Sequence, residues 1–455
     1  MTLSSNPDRS TEPTPISAQL ATKPIGLIAF ARLAGKNMLE VIPEATKHQT
    51  YLRGPLNIHY VCDPEIITEL LIGKGRKFHK AQFTKDIIGS AVGNGLILAE
   101  GEKWKQQRRR YSPLFAARNL PMLAIHFART GEELAKKLVA AGQQSDIARL
   151  SKEATLADIS RVMFSGASTV SPNQIREGLD RYFEYISDIS LFDLMGLPRW
   201  IPRLSWLKSK APVTNMRALA RSVIETRQAQ HRGEPQDFLD LMVAALDEDS
   251  EDIDTTVDNL LTFVVAGHET SANALAWGFY LLALYPEVQS IIRQEILNAS
   301  ADGPISFESL EQMPRLAAHV QETLRLYPSA AFFARDAGED ITIKGVHFSR
   351  GDAIFFPVYS LHRNSQLWDE PDAYKSERFL NMAPPRGQYI PYGDGPRICI
   401  GAQYAQTEIM VLMASVLREV ELGMSNEEIP CPVLTFTMRP GGPLVLTTRS
   451  IGQGQ

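Results

Sequence analysis

The sequence is poor in cysteine, in long apolar runs and in charge of one sign, and each shortage excludes a class of protein. It holds three cysteines in 455 residues, Cys62, Cys399 and Cys431. An odd number at wide spacing builds neither a disulfide framework nor a cysteine zinc cluster, and a reducing cytoplasm suits it. No run of about 18 apolar residues occurs, so no transmembrane anchor is expected. The net charge of −5 gives no reason to expect nucleic-acid binding. With 44% hydrophobic, 22% charged and 8% aromatic residues, the composition is globular and the chain is long enough to bury a large core. Residues 1–23 are polar, rich in Ser, Thr and Pro, and lack the basic-then-apolar plan of a signal peptide; they read as a flexible polar tail. A short helix over residues 24–40 is expected to pack on the body of the protein rather than lie on a membrane surface.

What is present is concentrated in four stretches. Residues 391–401 read Pro-Tyr-Gly-Asp-Gly-Pro-Arg-Ile-Cys-Ile-Gly, a run of turn formers with one cysteine inside. From Ala402 apolar residues recur at helical spacing, so Cys399 stands just ahead of a helix N-terminus, whose unpaired N–H groups lower a thiol's pKa. A thiolate there is a natural metal ligand; a buried structural cysteine is the alternative. Upstream, Trp104 and Arg108 share a helix face, with Lys105 and Arg109 on its flank. An indole N–H and a guanidinium suit carboxylate acceptors, and an exposed basic helix is the competing reading.

Residues 254–284 run without proline, which predicts a rod of about 45 Å at 1.5 Å per residue. Its middle, Ala266-Gly267-His268-Glu269-Thr270-Ser271, sets a glycine, an acid and two hydroxyls in an apolar stretch. Glycine costs a helix about 1 kcal/mol, a threonine there bonds back to a carbonyl, and a local opening of the ladder is expected. Ala266 and Thr270 share a face. Glu322 and Arg325 stand three apart in a helix over 314–327, a spacing that is usually surface decoration. Elsewhere a hairpin is expected over 50–62, a helix over 64–74, loop with short helical turns over 78–95, and successive helices over 120–233. Residues 341–348 with 353–358, and 433–438 with 444–448, read as two further hairpins. Residues 191–207 are either a lid over a pocket or a buried connection.

Taken in order, Trp-x-x-x-Arg, Ala-Gly-x-Glu-Thr, Glu-x-x-Arg and Gly-x-Arg-x-Cys-x-Gly resemble the signature motifs of the cytochrome P450 family. The resemblance implies the P450 fold over residues 24–455: mainly α with a smaller β-rich part, enclosing haem b between the long helix and the cysteine loop. It implies that Cys399 is the axial ligand to haem iron and that Trp104, Arg108, Arg335, Arg397, Tyr392 and Gly401 surround the cofactor. Ala266 and Gly267 would let the long helix approach the iron, and Glu269 and Thr270 would order water for proton delivery. Glu322 and Arg325 would join Arg378 in a buried structural cluster. Two departures stand out: Tyr392 where phenylalanine is usual, its hydroxyl either bonding near the sulfur or pointing away, and Ser376 where proline is usual.

The activity implied is that of a haem-thiolate monooxygenase that inserts one atom of O₂ into a small apolar organic substrate. No reductase domain is fused, so electrons are expected from a ferredoxin and its reductase or a similar donor, docking near Lys105, Arg109 and Arg110. The acid-threonine pair speaks against the peroxide-using branch, which carries arginine and proline there. Residues 83–92, Phe263, Ala266 and 330–333 are expected to wall the substrate pocket. Two rivals stay open: a haem protein on the same fold that isomerises, dehydrates or only binds its ligand as a sensor or carrier, and a non-haem redox-cysteine or metal-thiolate enzyme.

Overall fold

The computed structural model describes residues 13–23, 36–81, 92–164, 204–230, 234–247, 252–300 and 303–451, omitting positions 56, 236 and 382, with a few described positions between these segments. The lid or connection expected over 191–207 lies outside them except for the start of a helix at Leu204, and most of the helix expected over 24–40 lies outside them as well. The principal helices are α1 (Gly101–Tyr111), α2 (Leu120–Ala141), α3 (Ile147–Phe164), α4 (Leu204–Gln230), α5 (Phe238–Asp247), α6 (Ile253–Leu284), α7 (Pro286–Ser300), α8 (Pro314–Leu326) and α9 (Ala402–Glu419). Prolines open α7 and α8, where the first N–H groups have no helical acceptor to lose. Asp252 caps α6 by accepting the Asp254 N–H at 3.2 Å.

Helices α2, α3, α6 and α9 pack together around one continuous apolar core. Helix α6 is buried almost all round, from Thr256 to Val265 and again from Ser271 to Ala283, as a helix running through an interior must be. Gly278 lets it lie close on α9, because a Cβ there would overlap the Met413 side chain.

The strands are β1 (Tyr51–Arg53), β2 (Ile58–Val61), β3 (Phe78–Lys80), β4 (Ser145–Asp146), β5 (Phe333–Ala337), β6 (Ile341–Ile343), β7 (Val346–Phe348), β8 (Ala353–Phe356), β9 (Val420–Met424), β10 (Pro432–Leu434), β11 (Met438–Pro440) and β12 (Val445–Ser450). The hairpin over 50–62 forms as β1 and β2. The other two pairings differ from expectation. Residues 341–348 fold on themselves as β6 and β7, because Lys344 and Gly345 take φ of 48° and 78° and make a tight turn inside the alternating run. Strand β8 joins β2 in parallel and β5 antiparallel. Likewise β10 pairs with β11, turning between Leu434 and Met438, and β12 pairs with β9 and β4. Alternation marks strands but carries no information on distant partners. Within the expected loop over 78–95, Phe78–Lys80 becomes an edge strand whose register sets Lys80 opposite Arg335.

Composition made residues 1–23 a flexible polar tail, yet the chain from Pro13 is strapped across four tyrosines. The Ile16 and Ala18 N–H groups donate to Tyr280 Oη at 3.0 Å and Tyr359 Oη at 2.8 Å. Tyr327 Oη donates to the Ile16 carbonyl at 2.7 Å, and Tyr285 Oη to the Pro13 carbonyl. The Ala21 N–H then meets the Ile42 carbonyl at 2.9 Å. The grip is on backbone groups, which composition does not reveal. Removing residues 1–20 is expected to lower stability by about 4 kcal/mol, at about 1 kcal/mol for each of four phenol bonds. An unchanged urea midpoint in the truncated protein would show the strap to be idle.

Candidate functional site

The cysteine loop is held in place by backbone geometry on each side of the sulfur. Gly393 and Gly395 take φ of 73° and 72°, and a side chain at Gly395 would strike the Leu71 carbonyl. Asp394 accepts the Gly395 N–H at 2.7 Å and pairs with Arg386 at 3.2 Å. The Cys399 N–H donates to the Tyr392 carbonyl at 2.9 Å, and Arg108 Nη1 donates to the Ile398 carbonyl at 2.8 Å. Cys399 thus precedes the cap residue Gly401 of α9, as expected.

Cys399 keeps an accessible surface, and it lines a cavity of about 460 Å³. The Gly401 N–H and the Arg108 charge lower its thiol, the direction expected at a helix N-terminus, while desolvation by the protein around the cavity raises it by more. A bound cation reverses that balance, since a coordinating thiol is deprotonated outright.

Around the same cavity stand Trp104, Arg108, Arg335, Arg397, Tyr392 and Gly401. Arg397 lies over the Trp104 ring at 4.6 Å and donates to the Ala99 carbonyl at 2.9 Å. Lys80 joins them, a residue that sequence reasoning missed. Its ammonium is pushed well down by burial and then by Arg335 and Arg397; Arg335 is pushed down to about 10 by burial and by Arg397. The acid nearby, Glu100, is engaged by the Lys85 ammonium and the Lys80 N–H, both at 3.0 Å. Among the described residues the half-buried ring of Lys80, Arg108, Arg335 and Arg397 has more cations than carboxylates to neutralise them. A planar dianion completes it, and the two propionates of a haem are such an acceptor set. The residues present fit the group.

The Tyr392 hydroxyl is buried without a hydrogen-bond partner, and its phenol is pushed up by burial and by Cys399. Of the two alternatives for this departure, a bond to a neighbouring protein group is not made. Ser376 is buried in the turn before Arg378, its carbonyl accepting the Phe379 N–H at 3.0 Å.

Across the cavity α6 presents Ala266, Gly267, Thr270 and Ser271. Thr270 Oγ1 bonds back to the Ala266 carbonyl at 2.7 Å, as its position suggested. The expected opening of the ladder is absent; α6 is α-helical throughout this segment. Glu269 turns outward to Lys152 at 3.4 Å, its side chain 18% exposed. His268 is held neutral by burial, which lowers it to about 3, and bonds Thr155 Oγ1 at 2.9 Å. Phe263, Ala330, Phe332 and Phe333 line the cavity as expected, and Thr84 is the lining residue described within the 83–92 segment.

Glu322 and Arg325 are fully buried and joined by two bonds of 2.7 Å. Arg378 approaches Glu322 only to 3.6 Å and donates instead to the Glu370 carbonyl at 2.9 Å, with its side chain 15% exposed. It belongs to the rim of the cluster, not to its buried centre. Arg363, which no motif flagged, is fully buried over the Tyr359 ring at 4.1 Å and bonds Asp372 at 3.0 Å.

Replacing Lys80 by Met should weaken haem retention by about 1.5–3 kcal/mol, the worth of a charged hydrogen bond. Haem transfer to an excess of a scavenging globin should be roughly tenfold to a hundredfold faster than in the parent protein. Equal transfer rates would remove Lys80 from the cradle.

Comparison with known proteins agrees with this geometry. The sequence model described as Cytochrome P450 matches residues 33–447. Cytochrome P450 714B3 of Zea mays is 27% identical, over 88% of this chain and 77% of its own. Cytokinin hydroxylase of Arabidopsis thaliana is 27% identical, over 84% of this chain and 76% of its own. The crystal structure of the cytochrome P450DA heme domain superposes with a TM-score of 0.75 at 23% identity, covering 86% of this chain and 88% of that one, and so shares the fold. An accessible thiol on the wall of a cation-ringed cavity and a family match across most of the sequence converge: the chain belongs to the cytochrome P450 family.

Proposed function

We propose that this P450 monooxygenase holds haem b through Cys399, takes O₂ as co-substrate and hydroxylates a small apolar organic molecule, with electrons from a separate ferredoxin-type donor. The observation that carries the reading is the accessible Cys399, lining one cavity with the half-buried cations and with the Ala266–Thr270 turn of α6. Haem, when bound, supplies the oxidising chemistry, and a thiolate ligand favours O–O cleavage.

The chain supplies position, dryness and protons. Leu96, Ile97, Phe263, Phe332, Leu434 and Phe436 make an apolar wall that orients a substrate by shape and excludes water. Thr270 presents its hydroxyl to the cavity, and Glu269, one residue before it, faces the solvent side where protons are taken up. The hydroxylase among the relatives supports hydroxylation as the reaction class.

Electron entry is proposed on the α1 face. Arg108 grips the carbonyl of Ile398, which is 38% exposed and adjacent to Cys399, so a donor docked there sits close to the sulfur. Lys105 is exposed but pairs with Glu102 at 2.8 Å, and Arg110 is half-buried and partnered. Exposed Arg109 is therefore the principal docking charge, seconded by Lys105. An exposed free thiol at Cys431 supports the reducing cytoplasm as the compartment.

Ferrous protein under carbon monoxide is expected to show the red-shifted Soret band of a thiolate complex, lost in Cys399→Ser, and product formed under ¹⁸O₂ is expected to carry one label. A folded, haem-loaded protein without that band overturns the reading. Reversing Arg109 and Lys105 to Glu should slow reduction by an acidic ferredoxin about tenfold at low salt and flatten its salt dependence. Reduction unchanged at every ionic strength would move the docking site elsewhere.

A further inference from the structure

One part of the cavity wall is made by two stretches from opposite ends of the chain, and a single side chain joins them. Met38 contributes from the N-terminal side, and Leu434, Thr435, Phe436 and Thr437 contribute from the bend between β10 and β11. Asn37, directly before Met38, is buried, and its Oδ1 accepts two backbone N–H groups, from Leu39 at 3.2 Å and from Leu434 at 2.9 Å. The first bond caps the 3₁₀ turn Met38–Val41. The second spans 397 residues of sequence. Asn37 Nδ2 donates to Glu40 Oε1 at 3.2 Å, which fixes which way the amide points.

The need for that acceptor follows from strand geometry. Leu434 and Met438 are the last pair of β10 and β11 before the bend, and in an antiparallel ladder every other pair sends its N–H groups outward instead of across. Here the Leu434 N–H goes to Asn37 and the Met438 N–H to the Ser329 carbonyl at 2.9 Å. Both residues are buried, so each N–H needs a protein acceptor. Asn273 of α6 holds the bend itself, donating Nδ2 to Thr437 Oγ1 at 3.1 Å. Thr435 and Phe436, between these anchors, are half-buried and line the cavity.

Two of the anchors belong to the surroundings of Thr270. Ser329 Oγ donates to the Thr270 carbonyl at 2.8 Å, and Asn273 follows Thr270 by one helical turn. Asn37 is the anchor that brings in the N-terminal chain. Its turn is braced from behind, since the Ala21 N–H bonds the Ile42 carbonyl at 2.9 Å and the Glu44 N–H returns to the Ala21 carbonyl at 2.8 Å. The tyrosine-held strap thus reaches the turn that carries Met38.

We infer that Asn37 is a positioning residue for substrate: by holding Leu434 against the Met38 turn it sets the place of Thr435 and Phe436, and with them how closely the cavity fits a bulky apolar molecule. The inference rests on the monooxygenase reading above. Asn37 does not itself line the cavity and acts through its two neighbours. Without its amide the Leu434 N–H is buried with no acceptor, and the bend moves to recover one.

The test uses ligands whose nitrogen binds ferric haem and whose tails probe the wall, so it needs no known substrate. Imidazole, phenylimidazole and octylimidazole are titrated into the ferric holoprotein and read by the shift of the Soret band. In Asn37→Leu the phenyl and octyl compounds should bind about tenfold more weakly than in the parent, while imidazole, too small to reach the wall, binds as before. Asn37→Ser keeps an oxygen to cap Leu39 but is too short for Leu434. It should behave the same way, and it decides the matter if Asn37→Leu folds poorly. A double-mutant cycle with Phe436→Ala separates positioning from plain loss of stability, because once the ring is gone, losing the Asn37 amide should cost less than about twofold more. Equal weakening of imidazole and the longer ligands, unchanged affinities with full haem loading, or additive losses in the cycle would each overturn the proposal. A haem-loaded parent protein lacking the carbon monoxide band would overturn the P450 reading instead, which keeps the two failures distinct.

Discussion

Arg325 is the interaction on which the rest of the structure hangs. Every one of its five donors is used: Nε and Nη2 on Glu322, Nη1 on the His362 and Pro371 carbonyls, and Nη2 again on Ala373. Glu322 in turn accepts the Lys375 N–H at 2.8 Å. One side chain of α8 thereby fixes an irregular stretch that has little regular hydrogen bonding of its own. His362 carries the constraint forward, its Nε2 accepting the Ile390 N–H at 2.9 Å, next to the start of the cysteine loop. A buried ion pair is a weak source of net stability, because desolvation offsets most of its attraction. Here its value is that only one path of the chain satisfies all five donors, and that path delivers the sulfur.

The same distinction between order along the chain and partners across space explains what was legible in the sequence. Motifs that act as local units read correctly: Cys399 ahead of α9, Trp104 and Arg108 on one face of α1, and Thr270 returning to Ala266 all follow from spacing and helix geometry. What failed depended on distant partners. The pairing of β8 with β2 and β5, and of β12 with β9, joins segments that no local alternation connects. Lys80 escaped notice because its role comes from β3 lying against β5, and a lysine after Phe-His says nothing by itself. The tyrosine-held strap was invisible for the same reason, since its partners are phenol hydroxyls hundreds of residues away in the chain, and Arg363 escaped because the Tyr359 ring and Asp372 meet it in irregular chain with no period to read.

Electrostatics ties the cysteine to the cation ring. Taken alone, each is displaced from its ordinary value toward the uncharged form: the thiol is raised, and Lys80 and Arg335 are lowered. Burial is the first cause in each case, and around this one cavity Glu100 is the carboxylate that opposes it for Lys80, Arg335 and Arg397, one acid against several cations. Stabilising such a site takes a partner that brings a metal cation to the sulfur and carboxylates to the ring at once. That double demand is narrower than either half, and it is why the haem reading stands on the pair of observations and not on the cysteine alone.

Helix α6 shows how polarity is admitted to an interior without loosening it. It is apolar and buried on either side of one short segment, and within that segment successive side chains leave in different directions. His268 goes to Thr155, Glu269 to Lys152, Thr270 back to its own helix, and Ser271 to Glu408. Each polar atom has a different neighbour to satisfy it, so no two of these residues are interchangeable even where both are hydroxyls. Thr270 and Ser271 share a chemistry and a cavity, but one closes a bond within α6 and the other opens a bond to α9. A single helical turn therefore touches two separate acids, and the 100° step between consecutive residues is what keeps the two apart.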